Sequence, residues 1–317
     1  MRSAAAAFIG ILALQLYQLA WGFAPPDHYF CRCSPSHIST HLHSVPTSLD
    51  TLTSGLASIT RLPHGVTVSP GGRSTSGPAS KFLPQILKLY DIENDRNCRL
   101  VREKITEYDL IVNEVIPSTS NSRQSTKVVP TLVALVDGNE VSFAGVDNIL
   151  QFLNEKFSTN KQMQVVVKSS SDAPTSTTNE NSEESSTSNE TEIDVEETVL
   201  QIKDTLLNIA SYLPGILRAG SGTNVCTAAS SKLSPPRPTQ PLVLYSYEGN
   251  QFCRLVREVL TELDIVYELR SAGKGSPRRE ELSAITGGSS QQPFIIDPNT
   301  GVQMADSKDI IGKILLH

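Results

Sequence analysis

Residues 87–109 read LKLYDIENDRNCRLVREKITEYD, and residues 242–264 read LVLYSYEGNQFCRLVREVLTELD. At a constant offset of 155, thirteen of these 23 positions are identical, all of CRLVRE among them. A match of that quality is an internal duplication. In each copy a β-rich run (86–90 and 242–245) enters a turn, and a helix starts near the cysteine. Cys98, Val101, Ile105 and Tyr108 recur at spacings of three and four, as do Cys253, Val256, Leu260 and Leu263. Each set therefore lies on one helical face.

Working outward, a second strand is expected over 110–116 and 265–269. A proline then opens a third strand in each copy, at Val129-Pro130-Thr131-Leu132 and Gln292-Pro293-Phe294-Ile295. Hairpin turns follow at Asp137-Gly138 and Pro298-Asn299-Thr300-Gly301. Amphipathic helices over 147–157 and 307–316 close the units. The order β-α-β, a variable connection, then β-β-α predicts two α/β domains in tandem, at 84–157 and 239–317. In the second connection, 277–286 can form a helix with Arg278 and Arg279 outward and Leu282 and Ile285 inward. The first has SNSRQST there, too short and polar for one.

The remainder of the chain is poor in core. An apolar fraction of 38% over 317 residues is low enough that part of it is expected not to pack. Residues 4–21 are apolar behind Arg2, and Ala20-Trp21-Gly22 suits signal-peptidase cleavage, so 1–22 reads as a signal peptide. The alternative is a membrane anchor. Residues 23–80 are Ser-, His- and Pro-rich with only Asp27 and Asp50 as acids, a disordered, transit-peptide-like composition. Together the two segments resemble the bipartite presequence of complex plastids; secretion is the alternative destination. Residues 158–238 read as a disordered acidic linker. Within it, Val195, Val199, Ile202, Leu206, Ile209 and Leu213 form the stripe of an amphipathic helix over about 194–213. Asp172 to Glu197 carries nine acids and no base, which leaves the folded parts near neutral and predicts no nucleic-acid partner. No membrane contact is expected of the mature form.

Both copies resemble the thioredoxin-fold N-terminal domain of glutathione transferases, close to the glutaredoxin-like kind, and the chain is similar to plastid proteins with two such domains. YSYEGNQFCRLVREVLTELD, QQPFIIDPNTG and MADSKDI carry the resemblance in the second copy. The resemblance implies glutathione as ligand, or a thiol-containing protein as partner. It also implies that Pro293 and Pro130 are cis, which exposes the backbone of Gln292 and Val129 to the cysteinyl part. Asp306 and Ser307 would hold the γ-glutamyl carboxylate at a helix N-terminus, where free amide N–H groups attract anions. The first copy has Gly145-Val146-Asp147 there and departs from the transferase pattern.

The nucleophile is a second departure. Dithiol relatives carry C-P-F-C at the mouth of the first helix, where a thiol becomes a reactive thiolate. Here the tetrads are Asn250-Gln251-Phe252-Cys253 and Asp95-Arg96-Asn97-Cys98, so both lack the attacking cysteine. The apolar stripe turns Cys253 and Cys98 inward, as packing residues; Cys253 is the one candidate for reactivity. Asn250 and Asp95 suit helix N-caps. An Asn250 side-chain N–H could also stabilise a bound glutathione thiolate, which the Asp95 carboxylate could not. Arg99, Arg102, Arg254 and Arg257 read as solvated helix charges. Cys31 and Cys33 fall in the presequence, no metal-ligand spacing occurs, and five of six histidines lie before residue 65. Three functions follow: a glutathione-dependent thiol enzyme or transferase, a non-catalytic thioredoxin-fold docking module, or, last, an iron–sulfur carrier, which would need the absent tetrad cysteine.

Overall fold

The computed structural model describes residues 46–70, 83–158, 211–225 and 238–315, apart from residues 121, 125, 127 and 219. The apolar leader, Cys31, Cys33, Cys226 and the stripe of 194–213 up to residue 210 lie outside them. The first copy gives β1 (Gln85–Asp91), α2 (Arg96–Glu107), β2 (Ile111–Pro117), β3 (Thr131–Val136), β4 (Asn139–Ala144) and α3 (Val146–Phe157). The second gives β5 (Leu242–Ser246), α5 (Gln251–Glu262), β6 (Tyr267–Ser271), α6 (Arg278–Thr286), β7 (Phe294–Ile296), β8 (Gln303–Ala305) and α7 (Ser307–Leu315). Two further helices precede the copies: α1 (Ser48–Ile59) and the short α4 (Leu213–Leu217).

Local chemistry sets these boundaries. Asp95 and Asn250 accept backbone N–H bonds at the starts of α2 and α5. Both helices stop at an aspartate in the left-handed conformation, Asp109 (φ 53°) and Asp264 (φ 54°), a region that Asp tolerates better than most residues. Leu110 and Ile265 then donate back to the carbonyls of Ile105 and Leu260 and point into the core. The β3–β4 turn places Asp137 (φ 50°) and Gly138 (φ 82°) at the two positive angles a tight hairpin needs.

The copies do not form separate bodies joined by a linker. All eight strands make one sheet in the order β4-β3-β1-β2-β6-β5-β7-β8. Within each copy the first two strands are parallel and the hairpin antiparallel. The copies meet where equivalent strands β2 and β6 pair antiparallel, Ile111 opposite Arg270 and Val112 opposite Leu269. Pairing of like strands in opposite directions implies a pseudo-two-fold axis, as in an isologous dimer. The apolar core is likewise continuous: Leu89, Val101 and Ile105 belong to the same buried cluster as Leu244, Val256 and Leu260.

Part of the stretch expected to be unstructured is ordered. Thr47 caps α1 in a reciprocal capping box with Asp50. The helix buries its small face, Ser54, Gly55, Ala57 and Ser58, and packs against α5 and the short α4. The arm then continues through Arg61 to a bridge between Thr67 and Lys274. At an offset of 157, α1 and its continuation align with 205–225: Leu49, Ser54, Leu56, Ile59, Arg61, Gly65 and Val68 match Leu206, Ser211, Leu213, Ile216, Arg218, Gly222 and Val225. Contacts obey the same symmetry. The Ser54 hydroxyl donates to the Gln251 carbonyl at 2.8 Å, while Ser211 accepts from Arg96, the residue equivalent to Gln251, at 2.5 Å. Arg61 pairs with Glu103, and Arg218 with the equivalent Glu258, each at 2.7 Å. The first arm thus lays α1 on α5 of the second copy, and Ser211 of the second arm meets Arg96 of the first copy.

Two orientations differ from those read in the sequence. Arg278 is buried, not outward, and pairs with Asp109 at 2.8 Å across the seam between copies. Ile285 is 40% exposed rather than inward, while Leu282 is buried as expected. The helix packs through Leu282, the cross-copy Arg278–Asp109 pair and a hydrogen bond from the Tyr245 hydroxyl to Glu281 at 2.7 Å.

Candidate functional site

The four arginines of the repeated CRLVRE motifs are not solvated. Arg99, Arg102, Arg254 and Arg257 are all 2% exposed or less and converge between the copies. Arg102 holds Asp91 at 2.6 Å and Glu248 of the other copy at 2.8 Å. Arg257 reciprocates, holding Glu93 of the first copy at 2.9 Å and Glu248 at 2.8 Å. Arg102, Arg257 and Arg254 together hold the Glu248 carboxyl down to about 2 despite its burial. Burial and the facing Arg254 bring Arg99 down to about 10. Burying a charge is costly unless it is paired, and reciprocal pairing across the seam is what makes this cluster tenable. Its signal was in the sequence: Glu93 and Glu248 are also identical between copies, so acids and bases were duplicated as a set.

The site implied by the resemblance lies one turn beyond, at the N-terminus of α5. Asn250 Oδ1 accepts from the amides of Phe252 (2.9 Å) and Cys253 (3.4 Å). Its Nδ2 donates to the Gln292 carbonyl at 3.4 Å, tying the helix mouth to the loop before β7. The Gln292–Pro293 bond is cis, as is Val129–Pro130. Phe294 lies opposite Ala305, which brings Gln292 and Pro293 to the same end of the β7–β8 ladder as Asp306 and Ser307. Asp306 takes a positive φ of 72° and accepts from the Lys308 amide at 2.8 Å; it is exposed, and Ser307 is buried. The Gln292 side chain is 7% exposed, with neither amide atom hydrogen-bonded among the described residues.

In the first copy Asp95 caps α2 through the Cys98 amide at 2.9 Å. Gly145 (φ 85°) stands where Asp306 does and donates to the Pro130 carbonyl at 2.9 Å. Gly145 puts no carboxylate at the position of Asp306, and Val129 has no side-chain amide to match that of Gln292.

Both retained thiols are fully buried, as their stripe positions require. Burial pushes the Cys253 thiol up, and the Cys98 thiol well up, further helped by Asp91 and Asp95. Neither is a thiolate at neutral pH. Sequence reasoning missed Tyr247, the first residue after β5 and three before the Asn250 cap. Its phenol is raised by burial and the adjoining Cys253, and drawn back by Asn250 and Arg279. The Arg279 guanidinium lies 5.6 Å over its ring. The first copy has Ile92 there, so this hydroxyl belongs to the second copy alone. Among the described residues no group of His, Cys, Asp or Glu could hold a metal, and no helix is long and apolar enough to cross a membrane.

The family model described as glutathione S-transferase, N-terminal domain matches residues 244–315, nearly the whole second copy, and supports a thioredoxin-like fold there. No curated protein and no solved structure matches the chain.

Proposed function

We propose that the second copy binds glutathione at the mouth of α5 and that the first copy does not. One observation carries this reading: Asn250, Tyr247, the backbone before Pro293 and the Asp306-Ser307 helix start stand together in the second copy, within the span that matches a glutathione transferase N-terminal domain. The Gln292 backbone would pair with the cysteinyl part and the α7 N-terminus would take the γ-glutamyl carboxylate. The thiolate would be glutathione's own. Tyr247 O–H and Asn250 N–H would be the donors that stabilise it, a hydrogen-bonding role that needs no protein thiol. Conjugation or peroxide reduction by bound glutathione is the chemistry this supports.

Calorimetric titration of the full chain with glutathione tests the reading. Weak one-site binding is expected, lost in Asp306→Ala; no heat at millimolar glutathione would remove it. If binding is seen, Tyr247→Phe and Asn250→Ala are expected to lower conjugating activity more than affinity. The burial of both cysteines favours a second reading, a docking module without catalysis. Binding in the titration without turnover in a conjugation or peroxide-reduction assay would select it.

We also propose delivery to a complex plastid by the leader and the Ser-rich stretch behind it. Because Thr47 caps an ordered helix and Arg61 is buried against Glu103, any cleavage must fall before residue 47. Amino-terminal sequencing of the mature protein checks this, and a start beyond Arg61 would contradict it.

A further inference from the structure

The helix α1 turns its large apolar residues away from the body of the molecule. Ser54, Gly55, Ala57 and Ser58 are buried. Apart from Ser48, its exposed positions are Leu49, Leu52, Leu56 and Ile59, at 52%, 60%, 44% and 63%. Spacings of three, four and three are those of a coiled-coil seam, whose side chains seat as knobs between residues of a facing helix. The helix cannot roll to hide this ridge. The Ser54 hydroxyl is bonded to the Gln251 carbonyl, and a Cβ on Gly55 would stand 2.3 Å from Gln251 Oε1, so only the small face fits against α5.

The second arm repeats the row. At the offset of 157, Leu56 and Ile59 correspond to Leu213 and Ile216; Ile216 is 44% exposed and Tyr212 near it 55%. The helix α4 packs against α1, and Arg218, just past α4, donates to the Asp50 carbonyl at 3.0 Å and to the Thr53 hydroxyl. The two rows therefore adjoin. Together they expose apolar surface on the order of a few hundred Å², which on a soluble chain marks an interaction site. The chemistry of the patch narrows the partner. From Thr47 to Thr60 the sole ionic side chain is Asp50, and the Thr47 cap and Arg218 take it up. No Lys or Arg stands along the ridge to meet an anionic bilayer, and no charge is there to select a partner of opposite sign.

We propose that this face docks a second copy of the chain, with α1 and α4 of one molecule against α1 and α4 of the other in a two-fold contact. A closed contact of that kind needs a patch that complements itself. An uncharged row of Leu and Ile, repeated about the internal axis, does so: each row meets one of the same spacing, and no like charges are brought together. The contact is independent of the proposed glutathione site and is measured without that ligand.

Light scattering of the full chain at micromolar concentration is expected to give twice the chain mass. Leu52→Glu with Ile59→Glu places carboxylates at the two most exposed ridge positions, and is expected to halve that mass with the far-UV spectrum kept. Leu52→Met with Ile59→Val keeps the ridge apolar and should remain dimeric. The leader is common to all three chains, so a difference among them reads the ridge. The parent's Tm should also rise with protein concentration, a check that stands even where the glutamate variant fails to fold. A monomeric parent would overturn the proposal, leaving the ridge to be covered within the chain by residues 194–210. A dimer whose mass the glutamates leave unchanged forms elsewhere and overturns it too. So does a monomer that floats with vesicles of mixed neutral and anionic lipid and loses that binding in the glutamate variant, which would assign the ridge to a bilayer.

Discussion

Three residues decide the chemistry at the helix mouth. Cys253 is enclosed by its own apolar stripe, so iodoacetamide at neutral pH is expected to leave it unlabelled in the native protein and to label it fully in denaturant. Rapid native labelling would restore it as a nucleophile. Asn250 carries a structural duty besides any role towards a ligand: Asn250→Ala is expected to cost about 1 kcal/mol of unfolding free energy, the usual worth of an N-cap. Glu248 sits lower still in the molecule, and its depressed pKa has a definite sign. A carboxyl at about 2 in the folded state and 4.5 when free stabilises the fold above pH 4.5, and that contribution is lost as pH falls towards 2. Glu93 is pushed up by burial and acts in the opposite sense, since its contribution is lost as pH rises through its folded pKa. Glu248→Gln is therefore expected to flatten the pH dependence of unfolding between pH 4.5 and 2, as read from denaturant midpoints.

At the scale of elements, the arm is the main surprise. Its helix turns small residues inward and leaves Leu49, Leu52, Leu56 and Ile59 between 44% and 63% exposed, which inverts the usual pattern. A reading that looks for an apolar stripe on the core side finds none, and the Ser- and Thr-rich composition then reads as disorder. What anchors the arm is Arg61, whose bidentate pairing with Glu103 is buried. Removal of residues 1–45 should leave Tm unchanged. Removal of residues 1–69 strands a buried carboxylate and is expected to cost about 3–5 kcal/mol, measured by chemical denaturation. The helices α2 and α5 were legible because stripe, cap and terminal aspartate agree in each; α6 was legible as a helix and misread in orientation, because Arg278 is satisfied by Asp109 of the other copy.

At the scale of the whole molecule, the seam is as much core as either copy. β2 and β6 share backbone hydrogen bonds, and Arg102, Arg257, Glu93 and Glu248 are each completed by the opposite copy. The intact chain is expected to unfold in one cooperative transition, with coincident far-UV and tyrosine signals. A fragment of residues 238–317 would bare the β6 edge and leave Glu248, Arg254 and Arg257 without Arg102 and Glu93. It should fail to give a folded monomer by circular dichroism and hydrogen exchange; a stable fragment would show that the copies are independent after all.

By itself the sequence determined the periodic features: the duplication, the order of strands and helices in each copy, the inward sulfurs, the capping residues and the hairpin turns. Each depends on neighbours within a few positions, where backbone geometry leaves little choice. Only the tertiary structure decided that equivalent strands pair across an axis, that the arms cross over, and that the CRLVRE arginines are buried. Those outcomes rest on partners about 150 residues away, and an arginine written beside a stripe reads as solvated until its carboxylates are brought to it.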